Sequence, residues 1–292
     1  MSRRTDPTGT ATIQKEFGQA MRGLLGRVNS EARDKIVSED MIGLRGRPRA
    51  RGVKEANINR FVIWLRDAIA GERRGLFDKP ANRWVKAGYE RGLKDADAEL
   101  RRNGFDTDGL RDTDTAIDTE PHRGVLKALY RRTFREWEGV IEATVNAGSR
   151  ELSDAVDRGD SPSAAFRAVS DRMQKVGKYR ASKVAQTEVV RAHSNATLER
   201  YRQAGVQAVG AQVEYRTAGD RSVCDECEAV AGGTYAIGDA FGLIPQHPGC
   251  RCRWLPVDGP PEATAATAVP SAAGATCGVE AVPVAGPFPG RG

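Results

Sequence analysis

Apolar side chains recur at intervals of three and four along most of this chain, the spacing that gathers them on one face of an α-helix. From Ile58 onward Phe61, Leu65, Ala68 and Ile69 share such a face, with Trp64 beside them and Gly71 as a stop. A second run begins near Asn82 with Trp84, Val85, Gly88, Tyr89, Leu93, Ala96 and Leu100, and closes at Asn103-Gly104. Residues 105–121 are acid-rich with few apolar positions, which predicts an exposed loop. The broadest stripe is Leu126, Leu129, Tyr130, Phe134, Trp137, Ile141 and Val145. It predicts a packed helix over 122–147, broken at Gly148-Ser149. After a turn at Gly159–Pro162, one helix is expected from Ser163, its N-cap, to about Lys175, and Gly177 leads into another over roughly 179–204.

That last helix carries Ala185, Val189, Ala192 and Ala196 on one face. Side chains this small let a neighbouring backbone come close, so the helix is expected at the centre of its bundle. Thr187, Glu188, Arg191 and Asn195 lie beside that face at helical intervals. They read either as a solvated surface pair or as a buried polar strip that docks the cysteine-rich C-terminal segment. Beyond Gly205 the period changes. Val206–Thr217 is rich in Val and Tyr and alternates imperfectly, as a strand would. From residue 258 the sequence is mostly Ala, Gly, Pro, Thr and Val, too poor in large apolar groups to offset the entropy of ordering it.

The expected architecture is therefore mainly α: an elongated helical bundle, a small α+β Cys/His-rich lobe, and a disordered C-terminal tail. The boundaries fall at 1–57 (a basic, partly flexible N-terminal arm), 58–205 (helical), 206–257 (Cys/His lobe) and 258–292 (tail). Within the arm, Arg45, Arg47, Arg49 and Arg51 are interleaved with Gly and Pro. They could lie on nucleic acid or simply be solvated.

Composition sharpens this picture only in places. The 292 residues hold 45 Lys+Arg against 39 Asp+Glu, a formal +6, which permits contact with a polyanion without requiring it. No stretch approaches the roughly 18 apolar residues of a membrane span, and the basic N-terminus lacks the apolar core of a secretory signal. Five cysteines are present, none before Cys224, and four lie between Cys224 and Cys252.

These four form, with a histidine, two clusters: Cys224-x-x-Cys227, then nineteen residues, then His247-Pro248-Gly249-Cys250-Arg251-Cys252. Two thiolates three positions apart can turn onto one ion, and zinc takes about four sulfur or imidazole ligands in a tetrahedron. Five candidates compete for four places. Cys224, Cys227, His247 and Cys250 are the first choice and Cys252 the fifth. Disulfides remain a rival use of the same sulfurs. A catalytic ion would need an open position and a nearby base, for which Asp225, Glu226 and Glu228 are the candidates. A segment this poor in large apolar side chains gains most from a structural ion, here zinc.

The order of these motifs resembles the Mu F-like (SPP1 gp7-like) minor head proteins of tailed phages. The matching residues are Thr187-Glu188, Arg191 and Asn195, then Gly205-Val206 and Glu214–Thr217. Asp220, Cys224, Cys227, Gly232, Tyr235 and His247–Cys252 continue the series. The resemblance covers about residues 125–257. Gln186 stands where the family often has Arg, Tyr215 where Trp is frequent, and Gly249 where Asn is usual. The resemblance implies a non-enzymatic, low-copy virion protein of head morphogenesis, sited in the head interior or at the portal vertex after assembly in the host cytoplasm. Its implied partners are the portal protein and the major capsid or scaffold protein, and for some members viral DNA and its ejection, with no membrane and no small-molecule substrate. Two other classes stay open. A metal-dependent nuclease or toxin-like enzyme would need a second catalytic constellation, and a DNA-binding regulator would need sequence-selective binding.

Overall fold

The computed structural model describes residues 5–45, 51–72, 82–206 and 212–257, with the backbone alone at 51–54. Six longer or shorter helices come first: α1 (Ala11–Arg33), α2 (Arg51–Glu72), α3 (Arg83–Arg102), α4 (Thr113–Ala116), α5 (His122–Arg158) and α6 (Pro162–Gln203). A π-helical turn, Asp34–Ser38, extends α1. The C-terminal lobe then contributes β1 (Gln212–Arg216), α7 (Asp225–Glu228), β2 (Thr234–Tyr235), α8 (Ile237–Ala240) and β3 (Arg253–Val257). The strands form an antiparallel sheet in the order β2-β1-β3, with Val213 opposite Tyr235 and Tyr215 opposite Trp254.

Helix α6 is the spine. α1, α3 and α5 all pack along it, and Ala181, Ala185, Val189, Ala192 and Ala196 are fully buried at those contacts. α3 comes closest: a Cβ placed on Gly92 would stand 2.4 Å from the His193 carbonyl oxygen and 2.8 Å from the Ala196 methyl. No larger residue fits there without separating the two backbones. Asn82 caps α3 by accepting from the amides of Trp84 and Val85.

Four expectations need correction. The segment 1–57 is not an arm over its described length. Phe17, Met21, Leu24, Leu25, Val28 and Ala32 bury one face of α1, and Phe17 stacks on Trp84 at 4.9 Å. α5 does not break at Gly148-Ser149, and α6 runs unbroken through Gly177. Both glycines sit where helices touch: a Cβ on Gly148 would meet Met173 at 2.9 Å, and one on Gly177 would meet Leu25 at 2.7 Å. Here glycine serves close approach, and tertiary packing offsets its weak helix propensity. α5 stops instead at Gly159, whose φ of 75° suits a left-handed cap, and the N-cap of α6 is Ser161 rather than Ser163. The tail from 258 lies outside the described residues.

A second core joins lobe to bundle. Leu100, Val190, Leu198 and Tyr201 from α3 and α6 pack with Val213, Tyr215, Ile237, Ile244 and Trp254. Trp254 donates from Nε1 to Ser194 Oγ at 3.0 Å, fixing β3 against α6.

Candidate metal centre

Cys224 occupies the N-cap of α7 and Cys227 its third residue, so one helical turn brings both sulfurs to the same side. The other cluster arrives on a turn in which Cys250 N donates to His247 O at 3.1 Å, with Gly249 at a φ of 82°. Only glycine takes that conformation cheaply. His247 Nε2 lies 3.1 Å from Cys224 Sγ and 3.2 Å from Cys227 Sγ, and Cys250 Sγ lies 3.9 Å from Cys227 Sγ. Cys224, Cys227 and His247 have donor atoms within 4.8 Å of one another, and so do Cys227, Cys250 and Cys252. Cys227 belongs to both groups. The four sulfurs are free thiols, three of them buried. A small cavity of ≈ 20 Å³ touches Cys224, Cys227, His247, Arg251 and Cys252, space for one ion or water.

This chemistry fits a cation. Two overlapping triads that share Cys227 bring four sulfurs and an imidazole together from segments some twenty residues apart. Hydrogen bonds to Cys250 and Cys252, with burial, push the Cys227 thiol up, while Cys250, which accepts from Cys227 and Cys252, is pushed down. The buried thiols are thus set against one another, Cys250 favouring the thiolate and Cys227 the thiol. Two sulfurs each about 2.3 Å from a tetrahedral zinc would stand roughly 3.8 Å apart, close to the Cys227–Cys250 separation. With its proton on Nδ1, 3.2 Å from Pro248 O, His247 presents a lone pair at Nε2. Tyr215 Oη lies 3.5 Å from Cys227 Sγ and 3.2 Å from Gln246 Oε1, with one proton to donate to either.

The polar strip divides. Among the described residues Thr187 is the member of the strip that bonds to the lobe, accepting from Gly249 N at 3.1 Å. Glu188 is buried but faces α5, where Arg132 approaches at 3.3 Å, and Arg191 lies at 3.4 Å along its own helix. Burial raises the Glu188 carboxyl against the pull of Arg191 and Arg132. Asn195 bonds back to Arg191 O. Among the described residues the printed contacts of Glu188, Arg191 and Asn195 lie within the bundle, with Glu188 meeting α5. Asp220 belongs to the lobe itself. It takes a two-pronged ion pair from Arg251, at 2.6 and 2.7 Å, and hydrogen bonds from the amides of Thr5 and Ser222. The Arg251 guanidinium and those amides hold its carboxyl far below the usual range. Arg251 also donates to Thr5 O at 2.9 Å, so the N-terminal segment is strapped to the residue between Cys250 and Cys252.

Of the basic cluster, Arg45 is exposed, but its guanidinium bonds back to Val37 O. Arg47, Arg49 and the Arg51 side chain lie outside the described residues. Sequence reasoning missed Arg251, Thr5 and Ser194. Arg251 was visible inside the Cys-Arg-Cys motif, whereas the other two had no local signal.

A helical bundle whose central helix carries a small sulfur- and imidazole-rich lobe is the class that fold and site define. Residues 149–255, the end of α5, all of α6 and nearly the whole lobe, match the family described as Phage Mu protein F like protein. Over this stretch the chain is similar to that family. The family is one of structural phage head proteins and not a known enzyme class. No curated protein and no solved structure matches the chain. Among the described residues no helix is long and apolar enough to cross a membrane.

Proposed function

We propose that this protein is a minor head protein of a tailed virus, acting in head morphogenesis and retained in the virion at the portal vertex or head interior. The match over 149–255 carries this reading. The expected partners are the portal protein and the major capsid or scaffold protein, with viral DNA as a further contact. Within it, one structural zinc is held by Cys224, Cys227, His247 and Cys250, and Cys252 supports the cluster as a hydrogen-bonding thiol. The convergence of His247 on both Cys224 and Cys227 supports that assignment. Thiolates and an imidazole filling all places make a closed site, which stabilises rather than catalyses. The ion would lock the His247–Cys252 turn to α7, and through Gly249 and Trp254 the lobe to α6.

Two measurements test this reading. Mass spectrometry of purified particles should find the chain in the head at low copy, and the chain should co-purify with portal or capsid subunits. Its absence from particles would overturn the head-protein reading. Elemental analysis should find about one zinc per chain; a metal-free, folded preparation would overturn the zinc assignment.

A further inference from the structure

The surface charge of the bundle is organised unevenly. Several cations of α3 and α5 pair with acids three or four positions away, Lys86 with Glu90, Arg91 with Asp95, Arg123 with Glu120 and Arg132 with Glu136, whereas Lys127, Arg131 and Arg135 of α5 have no ion pair among the described residues. The middle of α6 holds a longer run without any acid. From 172 to 187 the sequence holds Arg172, Lys175, Lys178, Arg180 and Lys183 and no Asp or Glu.

Arg172, Lys175, Tyr179 and Lys183 follow one another at intervals of three, four and four, so they line one side of the helix over roughly 16 Å. Lys178 and Arg180 flank that line. Lys175, Lys178, Tyr179 and Arg180 are exposed, while Met173, Gly177 and Ala181 on the reverse side are buried in the bundle. Among the described residues Arg172, Lys175 and Arg180 have no ion-pair partner, and Lys178 donates only to Gln174. Tyr179 is 48% exposed, one of the few large aromatic surfaces among the described residues, and Lys183 Nζ lies 5.8 Å from its ring centroid. From α1, Arg22 reaches the same stretch, donating to Ser182 Oγ at 2.6 Å.

Like charges three and four residues apart on a helix repel one another. Packing of the buried face holds this helix together regardless, so the strip carries an electrostatic tension that a polyanion would relieve. A straight row of cations about 16 Å long, with a planar ring among them, matches a phosphate backbone, which offers one charge per ~1.7 Å of duplex axis and needs no shaped pocket. We propose that the Arg172–Lys183 face of α6 is a nucleic-acid-binding surface that grips the DNA phosphate backbone without reading sequence. This deepens the head-protein reading by naming the surface that meets DNA. It rests on that reading only for the biological source of the DNA.

The test uses the purified full chain and a fluorescein-labelled 25-bp duplex of arbitrary sequence, with anisotropy followed from 50 to 200 mM NaCl. Engagement of about three phosphates gives a slope of log K against log [NaCl] near −3. The triple variant Lys175→Ala/Lys178→Ala/Arg180→Ala should lose most of that slope and bind at least about tenfold more weakly at 50 mM salt. Tyr179→Ala should weaken binding less and leave the slope in place. A control variant, Arg66→Ala/Lys86→Ala/Arg158→Ala, removes as much charge from exposed paired positions and should leave binding near the unsubstituted level. Circular dichroism confirms that every variant is folded. The proposal is overturned if the unsubstituted chain does not bind the duplex, if triple variant and control weaken equally, or if the strip binds poly-glutamate as tightly as DNA. The last result would reassign it to an acidic protein partner. Since no particle is needed, failure here leaves the head-protein reading intact, and absence from particles leaves this binding result intact.

Discussion

The bundle and the lobe are stabilised by different means. In the bundle, α1, α3 and α5 close around a spine of alanine, valine and glycine, and apolar contact does most of the work: Phe17, Phe61, Leu65, Trp137 and Val189 are completely buried. The lobe has three short strands and two single-turn helices, and at its centre stand sulfur, imidazole and a phenol. Loss of one methylene is felt gradually in the first region. In the second, loss of one donor atom removes the organising centre. Large apolar area tolerates error, and the four-ligand site proposed above would not.

The largest effect should follow from striking the atom that both donor groups share. Cys227→Ser should abolish zinc binding and destabilise the lobe by several kcal/mol, because binding to a structural site of this type contributes on the order of 10 kcal/mol. Proteolysis confined to residues 218–252, with α3, α5 and α6 surviving, is the expected pattern; equal resistance of variant and parent would count against a metal-dependent lobe.

Next in size is a polar contact inside the bundle. Arg200 donates to both carboxylate oxygens of Asp97, at 2.5 and 2.9 Å, and to Arg111 O, with its side chain 2% exposed. Arg200→Ala leaves a buried carboxylate unpaired and should cost about 3–5 kcal/mol in urea unfolding. Unlike the cysteine change, it should lower the whole transition rather than the lobe alone.

Gly92→Ala probes the α3–α6 seam, where the added methyl meets backbone. About 1–3 kcal/mol of destabilisation is expected, with zinc content unchanged. A neutral result would mean that α3 can slide along α6.

The smallest effect concerns pH. His122 is fully buried between Tyr89 Oη, 2.8 Å from Nδ1, and Gln203 Oε1, 3.0 Å from Nε2. Burial pushes its pKa below the ordinary value, so the folded state favours the neutral ring. Its contribution is complete above the unfolded pKa of about 6.5 and falls as the pH drops below that value. Melting temperatures at pH 7.5 and 5.5 should differ less in His122→Gln than in the parent; an identical difference would remove His122 as the cause.

The same contrast decides how much of the structure was legible in the sequence. The stripes at Trp84–Leu100 and Leu126–Val145 lie in helices because many residues repeat one period, and the small face of α6 was recognisable for the same reason. α1 carries an equally regular stripe, Phe17, Met21, Leu24, Val28 and Ala32, but the Arg and Gly residues around it mask the period with charge and apparent breaks. Gly148 and Gly177 read as breaks because propensity is local, whereas the reason for a glycine there is a methyl or thioether on another helix. In the lobe, the Cys/His spacing located the cluster without any regular period. The Arg251–Asp220–Thr5 clasp was not readable: Thr5 lies more than two hundred residues from its partners, and only the folded path of the chain brings it there.

Hydrogen exchange measured by mass spectrometry, with and without a zinc chelator, addresses the division between the two regions directly. Chelation should strip protection from residues 212–257 and from the Thr5 strap while α3, α5 and α6 retain theirs. If the lobe stays protected without metal, or if the bundle unfolds along with it, the two regions are not held in the different ways described.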